Sequence, residues 1–240
     1  SLGTDDPRMR LILAEEWLGN GELDRADAEL QAADKLPRPT AEERFFNRGE
    51  WTVNRFRLHW QLAMRRGAVA QAAALADETL TSPELQEGSY RALVLPHSIE
   101  AYVLAGRVAD ARRCLDEYLE KYLAFVQSQQ SPDVSARTIA GLKAMVEAAE
   151  NKPYAVIDLL QPIVGQGSDS AQMLRMLSRA YEDTGQTAQA VNALERYLRL
   201  VPQDTEARRE LARQYAMAGS YERAFDLCTE VEASNPADVG

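Results

Sequence analysis

The stretch from Ala171 to Asp204 is followed by a second stretch, Thr205 to Asp238, in the same register. Leu177 aligns with Leu211, Tyr181 with Tyr215, Gly185 with Gly219, Ala190 with Ala224 and Pro202 with Pro236, and the offset is 34 residues each time (219 − 185 = 34). Each matched residue has a physical task. The leucine and the tyrosine are one helical turn apart and share a face. The glycine ends a helix, because glycine takes the left-handed conformation without strain. The alanine lets a second helix approach closely, and the proline cannot continue it. A chain organised this way buries its apolar faces by stacking successive units.

Weaker copies precede these two. Residues 7–40 carry Leu13, Ala14, Trp17, Gly21, Ala26, Leu30 and Leu36 at the expected offsets. Residues 53–86 carry Trp60, Gly67 and Ala72, and residues 92–125 carry Tyr102, Gly106, Ala111 and Leu115. Residues 136–170 carry Leu142, Ala155 and Leu159, with Glu150-Asn151-Lys152-Pro153 in place of a turn glycine. With 171–204 and 205–238 these make six units in one repeat domain. Turns are expected near Gly21, Gly67, Gly106, Asn151, Gly185 and Gly219. Alanine, leucine, glutamate and arginine dominate, all good helix formers, and 45% hydrophobic residues suffice for a sizeable core. The irregular places are a long helix opened by Thr40 with Glu43 as capping box and running to about Arg66, another from Asp110 to about Gln130, and a joint from Gly165 to Ser170.

The units "MLSRAYEDTGQTAQAVNALERYLRLVPQD" and "LARQYAMAGSYERAFDLCTEVEASNPAD" resemble the tetratricopeptide repeat, and the resemblance extends over nearly the whole chain. At the position of Ala63 the family has an aromatic residue. The resemblance implies an all-α α-solenoid of about six helix pairs with right-handed superhelical stacking. It also implies that first helices line a concave groove through roughly their second, fifth, ninth, twelfth and thirteenth positions. Those positions hold Gln172, Arg175, Arg179, Glu182 and Asp183 in the fifth unit, and Glu206, Arg209, Arg213, Ala216 and Met217 in the sixth. Arg57, Gln61 and Arg65 belong to the second unit. The candidate partner-binding residues are therefore Arg57, Gln61, Arg175, Arg179, Glu182, Arg209, Arg213 and Met217. Two readings of the arginines stand side by side. They hold a partner's carboxylates by paired hydrogen bonds, or they pair within the chain with Glu182, Asp183, Glu206 and Glu210. The asparagine with which some family members clamp a peptide's C-terminal carboxylate is missing here.

Little else points to chemistry. His59 and His97, the latter after Pro96 near an expected helix start, are the two histidines, and no residue set has metal-ligand spacing. Cys114 follows Arg112-Arg113, which would lower its pKa slightly; it and Cys228 read as packing thiols too far apart to bridge. Gly165-Gln166-Gly167 is a turn and not a phosphate loop. Trp17, Trp51, Trp60, Tyr102, Tyr181 and Tyr215 read mostly as core, with Trp51, outside the repeat register, as the candidate exception. A net charge of −10 disfavours nucleic acid, and no apolar run is long enough for membrane insertion. Ser1-Leu2-Gly3 looks like a vector remnant, so location stays open between cytoplasm and periplasm. The last helix keeps Ala224, Phe225, Leu227, Cys228 and Val231 in repeat-like positions, which implies a fragment of a longer protein or an end that packs on another chain, with self-association through it. The resemblance implies a non-enzymatic scaffold without cofactor, docking a protein or peptide that presents acidic groups. An envelope scaffold for exopolysaccharide secretion and the sensor region of a larger regulator are the alternatives.

Overall fold

A computed structural model describes residues 6–37, 48–85, 90–123, 132–165 and 170–234. Among the described residues there are twelve α-helices and no strand. The chain forms two compact units, Ser1–Pro132 and Asp133–Gly240. No helix among the described residues is long and apolar enough to cross a membrane.

The first unit holds α1 (Pro7–Gly19), α2 (Leu23–Lys35), α3 (Arg48–Arg65), α4 (Val69–Leu80), α5 (Tyr90–Leu104) and α6 (Val108–Glu117), with a short 3-10 turn at Pro83–Leu85. Helix α6 passes into a π-helical turn, Tyr118–Tyr122. The second unit holds α7 (Pro132–Ala149), α8 (Pro153–Leu160), α9 (Ala171–Asp183), α10 (Thr187–Leu200), α11 (Thr205–Met217) and α12 (Tyr221–Ser234). The Thr40–Glu43 capping box, the distal part of the helix expected from Asp110, and Pro236 lie outside the described residues.

All six helix pairs turn in the same way, at the six expected places. At the fifth pair the Gly185 N–H donates to the Glu182 carbonyl at 2.9 Å, and the Gln186 N–H reaches back to the Tyr181 carbonyl at 2.8 Å. This pair of hydrogen bonds satisfies the orphan carbonyls of a helix end and needs a left-handed residue between; Gly185 has φ 72°. At the fourth pair Asn151 adopts φ 58°, and Lys152 N–H donates to the Glu147 carbonyl at 3.0 Å. Asparagine tolerates this region better than other side chains, so the unit that lacks the glycine keeps the turn.

Small residues sit where helices meet. Ala26, Ala72, Ala111 and Ala190 are fully buried, and Ala224 nearly so. In the first unit, Leu11, Ala14, Leu18, Ala26, Leu30, Ala33, Trp51, Leu58 and Leu62 share one core cluster. Trp51 is therefore a core residue rather than a stacking platform: the first turn of α3 lays it among the side chains of α1 and α2. In the second unit, Ala144, Val156, Leu160, Leu177, Tyr181 and Ala190 form one cluster, and Leu174, Leu194, Tyr197, Ala207 and Leu211 another. Asp204 caps α11 by accepting from the Ala207 N–H at 2.9 Å, and the same carboxylate accepts from the Tyr197 hydroxyl at 2.7 Å. One side chain thus ties the start of α11 to α10.

Candidate functional site

Helices α9 and α11 are the first helices of the last two pairs, and charge pairs cross between them. Nη1 of Arg175 stands 2.7 Å from Oε2 of Glu210, the two side chains 15% and 12% exposed. The Arg175 guanidinium also lies 5.7 Å from the centre of the Tyr197 ring. Arg213 donates to Glu182. Burial pushes the Glu182 carboxyl above its usual range, with Arg213 opposing and Glu210 reinforcing. For Arg175 and Arg213 the structure thus has the intramolecular pairing that the repeat pattern allowed.

The remaining members of the set are open to solvent. Arg179 is exposed and makes no ion pair among the described residues; it borders a hollow of ≈180 Å³ with Asn151, Lys152, Met176 and Asp183. Arg209 is exposed, and Met217 is 65% exposed at the end of α11. The structure brings Arg175, Glu182, Glu210 and Arg213 together, and leaves Arg179, Arg209 and Met217 displayed on the same two helices.

Arg57 and Gln61 lie on α3 in the first unit. Nη2 of Arg57 donates to Oε1 of Glu15 on α1 at 2.7 Å, Gln61 is half-buried, and Arg65 donates to the Leu18 carbonyl. His59 places Nε2 3.2 Å from Oδ2 of Asp34. Burial works against the Asp34 carboxylate, but His59 and Arg55 hold it well below the usual range.

Pro96 and His97 stand in the middle of α5 rather than at a helix start. Proline in a helix interior sacrifices one backbone hydrogen bond, and here the buried residues on both sides, Leu95 and Ser98 among them, hold the helix through it. The His97 ring sits 4.4 Å from Trp60 and 6.4 Å from Phe56, centre to centre, both on α3. Burial and the charge of Arg57 hold the imidazole below its ordinary range. The folded chain therefore takes up this proton at lower pH than the unfolded chain, whose imidazole titrates near ~6.5. Between the two values the unfolded state binds more protons, so stability falls as pH drops through that window. His97→Gln is expected to flatten the fall in denaturation midpoint between about pH 7 and pH 5. An unchanged slope contradicts the assignment.

Both cysteines are free thiols; Cys114 is buried and Cys228 exposed. Burial pushes the Cys114 thiol up to about 11, against the small opposite effect of Arg113. The lowering expected from the neighbouring arginines is thus outweighed by desolvation. Sequence periodicity missed the face of α5 that carries Leu93, His97, Glu100 and Leu104, because leucines in a helix read as core. Leu93 and Leu104 are in fact 51% and 53% exposed.

A family model described as tetratricopeptide repeat matches residues 175–239. A chain in the crystal structure of the APC/C hetero-tetramer Cut9–Hcn1 is 15% identical with a TM-score of 0.72, over 99% of this chain and 42% of that one. This chain thus spans less than half the length of that relative. A tetratricopeptide repeat protein from Parabacteroides merdae is 13% identical with a TM-score of 0.56, over 95% of this chain and 79% of that one. MamA from Desulfovibrio magneticus is 15% identical with a TM-score of 0.52, over 79% of this chain and 98% of that one. No curated protein matches the sequence. Residues 175–239 thus carry the sequence of the tetratricopeptide repeat, and the chain shares the helical-repeat fold of these solved structures.

Proposed function

We propose that this chain is a non-enzymatic scaffold that docks a protein or peptide segment along the first-helix face of α9 and α11. The observation that carries the reading is the display of Arg179, Arg209, Arg213 and Met217 on those two helices of an acidic chain. Arg175 and Glu210 act beneath them as a positioning pair, since a guanidinium held against Tyr197 is not free to reach outward. Such a surface selects a segment with carboxylates in the right places, while net charge repels acidic partners elsewhere. Repeat solenoids serve in general as protein-interaction scaffolds, and a fold relative is solved within a hetero-tetramer. The test is recovery of the native partner with the wild-type chain and with the double variant Arg179→Glu, Arg213→Glu.

A second copy is the further partner in this reading. Tyr221 and Phe225, both on α12, are 72% and 73% exposed beside the exposed Cys228. Large apolar side chains displayed together favour association. Sedimentation at several concentrations is expected to show a mass that rises with concentration, and Phe225→Ser is expected to suppress the rise. A monomer throughout the range contradicts self-association.

A further inference from the structure

Four residues of α5, Leu93, His97, Glu100 and Leu104, follow one another at spacings of four, three and four, so they form a single stripe along the helix. Their neighbours Leu95, Ser98, Ile99, Ala101 and Tyr102 are buried. His97 anchors the stripe to α3 through its contact with Trp60. Arg57 joins α3 to α1 through Glu15. The face of the first unit therefore runs from Ile12 and Glu15 on α1, across Arg57 on α3, to the stripe on α5.

The composition of this face is unlike that of α9 and α11. It displays three large aliphatic side chains, Ile12, Leu93 and Leu104, all more than half exposed. Arg57 on this face is already paired with Glu15. Glu100 is half-buried, and no hydrogen bond or ion pair satisfies it among the described residues. A carboxylate in partly desolvated surroundings and without a cation is a place where an incoming cation gains more than it would at an open surface. Apolar side chains set on either side of it, one along the helix in each direction, gain by losing water.

We propose that the face of α1, α3 and α5 seats a basic amphipathic protein segment, with a lysine or arginine on Glu100 and apolar side chains on Leu93 and Leu104. The proposal shares with the preceding reading the idea that first-helix faces dock partners. It differs in the chemistry selected, basic here and acidic on α9 and α11. The chain then carries a seat for a basic segment in its first unit and one for an acidic segment in its second.

The test uses the whole chain and a short fluorescein-labelled peptide of alternating lysine and leucine, followed by anisotropy at fixed salt. Glu100→Gln is expected to weaken binding about tenfold, since it removes one half-buried charge partner. Leu93→Ser with Leu104→Ser is expected to weaken it by a similar factor. Both variants should keep the wild-type far-ultraviolet circular dichroism, as the leucines are exposed and the glutamine is isosteric. An acidic chain attracts any cationic peptide to some degree, so Glu222→Gln, an exposed change on α12, serves as the comparison and should leave affinity unchanged. Three results overturn the proposal: no binding by the wild type, equal weakening by Glu100→Gln and Glu222→Gln, or unweakened binding by a folded Glu100→Gln. None of them bears on the arginine face, which is read separately with Arg179 and Arg213.

Discussion

Phe56→Ala is expected to destabilise the first unit by about 3–5 kcal/mol, the range for truncating a buried aromatic side chain. Phe56 is almost fully buried on α3, and its ring faces His97 on α5. Removing it leaves a cavity at the contact that fixes α5 against α3, so neither helix can close the gap without losing the stacking of His97 on Trp60. Tyr154→Ala supplies the contrast. That residue is exposed on α8, and its removal should fall within about 0.5 kcal/mol of zero. Denaturant unfolding monitored by circular dichroism distinguishes the two. A Phe56 variant as stable as the Tyr154 variant would mean that α3 and α5 do not pack as described.

Ala190→Leu is expected to cost about 1–3 kcal/mol by overpacking. Ala190 is fully buried in the cluster that includes Leu177, Ala180 and Tyr181 on the facing helix. A branched side chain there forces α10 away from α9. Two residues earlier, Ala188 is exposed, and Ala188→Leu should be neutral to within about 0.5 kcal/mol. Equal effects at the two alanines would show the register of α10 to be wrong.

The parts of this architecture that the sequence discloses are those with a strict stereochemical demand. A left-handed helix end admits glycine or asparagine and little else, so Gly21, Gly67, Gly106, Asn151, Gly185 and Gly219 are readable as turns without coordinates. Close helix contacts admit alanine, which makes Ala26, Ala72, Ala111 and Ala190 readable as core. Charged side chains carry no such restriction. The helical period puts Arg175, Glu182, Glu210 and Arg213 on facing surfaces, yet whether an arginine turns inward to a glutamate or outward to solvent depends on rotamers and on Tyr197 behind it. Pro96 misleads for a different reason. Proline ordinarily marks a helix boundary, and only surrounding burial carries α5 through it. The exposed leucines of α5 are hidden by their own chemistry, because periodicity assigns leucine to a core unless the neighbouring helices are known.

Partner binding through the arginines displayed on α9 and α11 is tested by recovery of the partner with the double variant Arg179→Glu, Arg213→Glu at low and at high salt. Arg179 makes no ion pair among the described residues, and Arg213 is an exposed partner of Glu182, so reversing both is expected to cost the fold on the order of 1 kcal/mol, with helicity as the control. The variant is expected to keep its helicity and lose the partner. The wild type is expected to release the partner progressively as salt rises and screens exposed charges beyond ~8–10 Å. A folded double variant that recovers the partner as well as the wild type, with no dependence on salt, would contradict the claim.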